Sequence, residues 1–127
     1  MEITPDFVKS FVVSDNLPLL ATQTKLCIPI INRLCQKMAN GIKFEEIKVY
    51  NNLIIDGHHR FISALIMKFN LGKVEGNITS ATTAITWDKV IFEEKDWDTQ
   101  AKIEYLNELD AKYNGLEIDF VKQISLR

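Results

Sequence analysis

A hairpin followed at once by a long apolar run constrains the fold of this chain more than any other feature of its sequence. Ile47–Tyr50 and Leu53–Asp56 are two tetrapeptides rich in strand-forming residues, and only Asn51-Asn52 separates them. Because asparagine tolerates positive φ, the pattern predicts a tight β-hairpin. The following run, Arg60–Phe69, is too long for a strand and apolar on most sides, which predicts a largely buried helix. The middle of the chain therefore predicts an α/β (α+β) fold.

Further elements follow from apolar spacing and from the residues that begin and end helices. They are two strands, Phe7–Val13 and Trp87–Phe92, and two helices, one from near Ile28 to Asn40-Gly41 and one from Asp98 or Thr99 to Asn114-Gly115. The central helix is expected to close at Asn70-Leu71-Gly72. Gly76–Thr86 shows no clear period, and the last dozen residues are expected to add a short strand or to lie loose.

Length and composition favour one domain over residues 1–127. The 127 residues are 46% hydrophobic and 25% charged, which is typical of a globular protein, and no linker or repeat divides them. We expect a mixed sheet with three main helices. The longest apolar stretches, Ile28–Ile31 and Phe61–Met67, are far shorter than a membrane span, and the N-terminus lacks the order of a secretory signal. These features predict a cytoplasmic protein with no membrane partner.

Charge is distributed unevenly along the chain. Residues 1–87 carry seven acids and nine Lys or Arg, whereas Asp88–Asp119 carries ten acids and four lysines. Nucleic-acid surfaces need clustered positive charge, so a nucleic-acid partner is disfavoured. Cys27 and Cys35 match no zinc or redox spacing and are expected to be buried reduced thiols.

The turn Asp56–Arg60 is the candidate functional site. A strand that passes directly into a helix leaves the first helical N–H groups unbonded, and these donors attract anions. Gly57 permits a sharp turn and the close approach of a ligand, and Arg60 can form two parallel hydrogen bonds with a phosphate or carboxylate. Both histidines of the chain, His58 and His59, lie here. Either can donate to phosphate or act as a general acid or base.

Structural explanations for the same residues are also open. Asp56 can serve only as a helix cap, one histidine can pack inside the fold, and Arg60 can pair with an acid of the negative half. A metal role for the two histidines is disfavoured, because side chains at adjacent helical positions rarely converge on one ion. We therefore predict no metal site built from them.

The region Leu26–Gly72, roughly a third of the chain, resembles the ParB N-terminal/sulfiredoxin-like superfamily. The resemblance lies in the hairpin and in the run from Asp56-Gly57-His58-His59-Arg60 to Ala64. It implies a small α/β fold whose turn binds nucleotide phosphates, with Gly57, His58 and His59 at the phosphate-contacting positions and Arg60 at that of the family's arginine. Members of the superfamily use CTP, ATP or ADP, so the implied cofactors are ATP/ADP or CTP with Mg²⁺.

This sequence departs from each branch of that superfamily. Sulfiredoxins carry a reactive cysteine at the position of His58, so their activity is not expected. Partition proteins carry an E-N-x-x-R motif and a helix-turn-helix DNA reader, and neither is found after Gly72. A free-serine kinase branch shares the turn most closely, although its other substrate residues are not identified here.

Three functions are therefore carried forward. The first is a nucleotide- or phosphate-binding protein whose enzymatic form would be a phosphotransferase or nucleotide hydrolase, with Asp56 and His59 as catalytic groups and Glu45 or Glu46 as an alternative base or Mg²⁺ ligand. The second is a non-catalytic protein-interaction module, suggested by the acidic helix Thr99–Tyr113. A DNA-binding or nuclease protein is the weakest of the three.

Overall fold

The computed structural model describes residues 2–14 and 16–125 and has mixed α and β secondary structure. Within these residues it contains, in chain order, α1 Pro5–Ser14, β1 Lys25–Cys27, α2 Ile28–Ala39, β2 Ile47–Tyr50, β3 Leu53–Asp56, α3 His58–Met67, β4 Lys73–Glu75, a short 3₁₀ turn Trp87–Lys89, β5 Ile91–Glu93, α4 Gln100–Asn114 and α5 Ile118–Ser125. The predicted α+β class is confirmed. The three predicted main helices correspond to α2, α3 and α4, and two further helices accompany them.

The strands form two small sheets. The first has the order β3-β2-β4, with β2 antiparallel to β3 and parallel to β4, so the predicted mixed sheet and hairpin are both confirmed. Asn51 takes the positive φ, at 50°, that the tight turn requires. The second sheet pairs β1 with β5 in parallel. Two strands, β1 and β3, pass into the helix that follows them within one residue.

The core lies between α2, α3 and the two sheets. Its fully buried side chains include Leu26, Ile31, Ile54 and Ile62, which come from β1, α2, β3 and α3 respectively. A smaller cluster of Ile42, Ala111, Val121 and Ile124 packs α4 and α5 against the loop after α2. Both cysteines are buried and reduced, as predicted, and burial raises the pKa of the Cys35 thiol to about 11.

The prediction of a strand at Phe7–Val13 is wrong, because these residues lie in α1. Val8 and Val12 face the core with essentially no exposure, and Phe7 and Phe11 pack against the same cluster. A strand would place the members of the adjacent pairs Phe7-Val8 and Phe11-Val12 on opposite faces and would bury Ser10 beside the two valines, whereas Ser10 is exposed. The Lys9 ammonium fixes the helix by donating to the carbonyls of Trp87, Asp88 and Val90 at 3.3, 2.6 and 2.7 Å. The β-branched composition of the segment favours strands, but tertiary burial overrides it.

The C-terminal half differs from prediction in two places. Trp87–Phe92 begins as a 3₁₀ turn, and only its end belongs to β5. The last residues form α5 rather than a strand or loose chain, because Val121 and Ile124 are buried on one helical face. Residues 126 and 127 lie outside the described residues. The part of the chain that the structure describes has no helix long and apolar enough to cross a membrane.

Most predicted helix boundaries are confirmed. α2 begins at Ile28 and is followed by Gly41 at φ +80°, and Thr99 caps α4, which ends before Gly115 at φ +63°. The end of α3 is different. It stops at Lys68, which takes a left-handed conformation at φ +53°, while the Phe69 N–H bonds the Ala64 carbonyl at 2.8 Å. The helix therefore closes before the predicted Asn70-Leu71-Gly72.

Candidate functional site

The turn between β3 and α3 is built around Gly57. This residue has φ +99°, and a Cβ placed on it would lie 2.6 Å from Ile47 Cγ2 and 2.7 Å from Arg60 Nη2. Both the conformation and the lack of space require glycine. The guanidinium of Arg60 lies over this glycine, so the cation is held beside the first turn of α3.

The first amides of α3 are free of helical acceptors. The first helical bond joins the Phe61 N–H to the Gly57 carbonyl at 2.9 Å. The N–H groups of His58, His59 and Arg60 therefore have no acceptor within the helix, and the helix dipole places positive potential at the same point. No side-chain cap bond forms at this end of α3. The alternative that Asp56 serves only as the helix cap is therefore wrong.

His58 is a buried hydrogen-bond acceptor. Its residue is 1% exposed, and Nε2 accepts the Thr22 N–H at 2.9 Å. A ring nitrogen that accepts carries no proton, so the proton of the neutral ring is on Nδ1. That Nδ1 is buried without a hydrogen-bond partner among the described residues. Burial, and then the neighbouring His59, lower the pKa of His58 to about 4, while Asp56 opposes the shift.

His59 also accepts a hydrogen bond from a backbone N–H, in a different segment of the chain. Its Nε2 accepts the Cys27 N–H at 2.9 Å, at the junction of β1 and α2, and its ring meets Trp97 edge-on at 5.4 Å. Burial lowers its pKa to about 4, with Asp98 opposing the shift. The alternative that a histidine packs inside the fold, predicted for one of the two, therefore applies to both. Sequence reasoning did not anticipate the amides of Thr22 and Cys27 as their partners.

Arg60 is weakly paired. Its Nη2 lies 3.4 Å from Asp56 Oδ2, and that carboxylate is 66% exposed, so the attraction is screened by solvent. Its Nε is buried with no hydrogen-bond partner among the described residues. Among the described residues, the ion pair of Arg60 is with Asp56. The alternative of a pair with an acid of the negative half is not observed.

The acids of the negative half pair with two other cations, which sequence reasoning missed. Arg33 binds Asp96 with two bonds, at 2.6 and 3.0 Å, and Asp98 at 2.9 Å. Lys37, 4% exposed, binds Asp110 at 2.6 Å. Arg33 and Lys37 are four residues apart on α2 and therefore share a face, and this spacing is the sequence signal that could have identified them.

These groups surround one pocket. It measures about 340 Å³ and is lined by all five residues of the turn Asp56–Arg60, together with Arg33, Lys37, Asp98 and Asp110. Three cations and three carboxylates therefore line it. Two of the cations, Arg33 and Lys37 of α2, are neutralised by their ion pairs. Arg60 is the cation whose pairing is weakest. The pocket is open to solvent.

The two glutamates suggested as base or Mg²⁺ ligand lie apart from this pocket. Glu45 lines an adjoining cavity of about 510 Å³, and Glu46 packs against Gly72. A larger cavity, about 940 Å³, contains none of the turn residues. Among the described residues no group of three or more His, Cys, Asp or Glu side chains is arranged to hold a metal ion.

Comparisons with protein-family models, with curated proteins and with solved structures give no match for this chain. The functional argument therefore depends on the geometry of the turn and its pocket.

Replacing Gly57 by alanine tests the constraint at the turn. We expect Gly57→Ala to lower the free energy of unfolding by about 1–3 kcal/mol more than Gly41→Ala. Gly41 is the matched control because it also has positive φ, at +80°, but has open space where a Cβ would lie. Urea denaturation of the two variants measures the difference, and equal losses would show that the packing at Gly57 is not restrictive.

The histidines predict a pH dependence of stability. Their folded pKa of about 4 lies below the ordinary value of 6.5, so the unfolded chain binds more protons between these values. Stability is complete above pH 6.5 and falls as the pH is lowered toward 4. Between pH 7 and 5 we expect a loss on the order of 1–2 kcal/mol per histidine.

Urea denaturation at both pH values measures this loss. His58→Gln keeps an acceptor in place of Nε2 but does not titrate, so it should remove about half of the pH-dependent loss. A wild-type stability that is the same at pH 7 and pH 5 would contradict the account.

Proposed function

We propose that the turn Gly57–Arg60 binds the phosphate of a nucleotide or of another phosphorylated small molecule. The observation that carries the proposal is a concentration of hydrogen-bond donors without acceptors at one pocket. The amides of His58, His59 and Arg60 have no helical acceptor, and the buried His58 Nδ1 and Arg60 Nε have no partner in the described chain. The free amides can donate to an anion directly. Buried donors without partners are rare and costly, and the negative charge of an anion at this turn offsets that cost at the two buried atoms.

The charges of the pocket favour binding through Arg60. Arg33 and Lys37 are already paired at 2.6 Å, whereas Arg60 is 3.4 Å from an exposed carboxylate. A phosphate that forms two charge-assisted hydrogen bonds with Arg60 is a better partner than Asp56. In this arrangement the amides and the neutral His58 ring add dipoles without adding net charge.

The same exchange releases Asp56. Once Arg60 binds phosphate, the Asp56 carboxylate is free to act as a base toward a second substrate or to bind Mg²⁺ together with phosphate oxygens, as carboxylates commonly do. Asp56 suits this role better than His59, whose Nε2 is bonded and whose pKa is about 4. Phosphoryl transfer or nucleotide hydrolysis with ATP/ADP or CTP therefore remains the enzymatic form of the proposal.

The order of hairpin, glycine turn and helix supports the ParB/sulfiredoxin-like assignment as part of this proposal. β2, β3 and α3 follow one another as the resemblance implies, and Gly57, His58, His59 and Arg60 all line the pocket. The two histidines do more than contact phosphate in this arrangement, because the ring of each also accepts a hydrogen bond from the backbone of a distant segment. Within the described residues, His58 Nδ1 is the buried ring donor that has no partner.

Titration of the ¹⁵N-labelled protein with inorganic phosphate, ADP, ATP and CTP, each with and without Mg²⁺, tests the proposal by NMR. We expect the amide signals of residues 57–60 to move with at least one of these ligands. Arg60→Gln should raise the dissociation constant at least about tenfold, because it removes a charge-assisted bidentate contact.

Lys48→Gln is the matched control for charge. Lys48 is an exposed cation in β2, the strand paired with β3, and it does not line the pocket. It should leave the dissociation constant unchanged. If none of the ligands moves the signals of residues 57–60 at millimolar concentration, the proposal is wrong.

A second candidate, a protein-interaction module, is favoured by the surface of α4. Tyr105, Leu109 and Tyr113 lie four residues apart on this helix, and each is at least 43% exposed. Such a row of exposed apolar side chains is typical of a surface that binds another protein. An association with a partner protein that Arg60→Gln leaves intact and Tyr105→Ser abolishes would favour this function.

A further inference from the structure

An apolar groove continues from the turn pocket along α4. The adjoining cavity of about 510 Å³ shares Phe44, Arg60, Leu106 and Asp110 with the turn pocket, so the two lie side by side. Arg60 lies at the boundary and lines both. A ligand held by Arg60 can therefore extend directly into the groove.

The groove has aromatic and aliphatic walls. Phe44 lines the cavity from the loop after α2 and is packed edge-on against Phe69 at 6.5 Å. Leu109 and Tyr113 line it from α4 and are 43% and 57% exposed. Apolar side chains that line a cavity gain free energy when an apolar group fills it.

The two walls are held in place without a ligand. The Lys43 N–H donates to Asn114 Oδ1 at 2.7 Å, and Asn114 Nδ2 donates to the Lys43 carbonyl at 3.0 Å. These paired bonds join the loop that carries Phe44 to the end of α4, next to Tyr113. A groove that is already formed loses little conformational entropy on binding.

We propose that this groove binds a flat aromatic ring attached to the phosphate that Arg60 holds, so the ligand is an aromatic or nucleoside phosphate. The proposal rests on the proposed phosphate site and adds the residues that recognise the rest of the ligand. Tyr113 and Phe44 contact the ring. Lys43, Glu45 and Lys112 at the rim provide hydrogen-bond donors and acceptors, which suits a ring with polar edges better than an alkyl chain.

Two phosphonates that differ only in the ring test the proposal. Phenylphosphonate and methylphosphonate present the same anionic group, and NMR titration gives a dissociation constant for each. We expect the wild-type protein to bind phenylphosphonate about tenfold more tightly. In Tyr113→Ala the ratio should fall to about threefold or less, while the dissociation constant for methylphosphonate stays unchanged.

Two variants control the experiment. Tyr113→Phe keeps the ring and should keep the ratio. Tyr105→Ala removes an equally exposed tyrosine of the same helix that does not line the groove, and it should also keep the ratio.

The outcomes separate the two proposals. If both phosphonates bind wild-type protein equally, or if Tyr105→Ala lowers the ratio as much as Tyr113→Ala, the groove proposal is overturned and the phosphate site stands. If neither phosphonate binds, the phosphate site is wrong and the groove proposal fails with it.

Discussion

Two neutral imidazole rings hold the first turn of α3 in its place, and the candidate site depends on them. The Nε2 atom of His58 accepts a hydrogen bond from the backbone N–H of residue 22. The Nε2 atom of His59 accepts one from the backbone N–H of residue 27. One bond ties α3 to the segment that runs beside β3, and the other ties it to the junction of β1 and α2. A buried backbone N–H must find an acceptor, so each ring is needed by the segment that it serves. Protonation of either ring abolishes its acceptor and places a charge inside the fold.

These tethers determine what the turn can do chemically. Because the rings are held by Nε2, the proton of each neutral ring lies on Nδ1, and in His58 this donor has no partner in residues 2–14 and 16–125. Neither histidine is well placed as a general base near neutral pH, since the lone pair that would accept a proton is already bonded. The turn is therefore better suited to binding an anion with fixed donors than to transferring protons through imidazole. Within the turn, Asp56 is the exposed group that retains proton-transfer chemistry.

Local signals predicted much of the fold. The hairpin, α2, α3 and α4 follow from apolar spacing and capping residues such as Thr99, and all are present. Long-range packing decided the parts that were missed. α1 is helical because the adjacent pairs Phe7-Val8 and Phe11-Val12 pack against one core cluster, and α5 is helical because Val121 and Ile124, three residues apart, are buried together. The turn that the sequence singled out lines the candidate pocket, but the partners of its histidines are 36 and 32 residues away in the chain, beyond the reach of any local pattern.

The protonation state of the two rings tests the central claim most directly. Long-range ¹H–¹⁵N correlation spectra of the imidazoles distinguish the two neutral tautomers and the charged form. The account predicts that at pH 6 both rings are neutral with the proton on Nδ1, and that added phosphate shifts the Nδ1 signal of His58 but not that of His59. A charged ring at pH 6, or a His58 proton on Nε2, would contradict it.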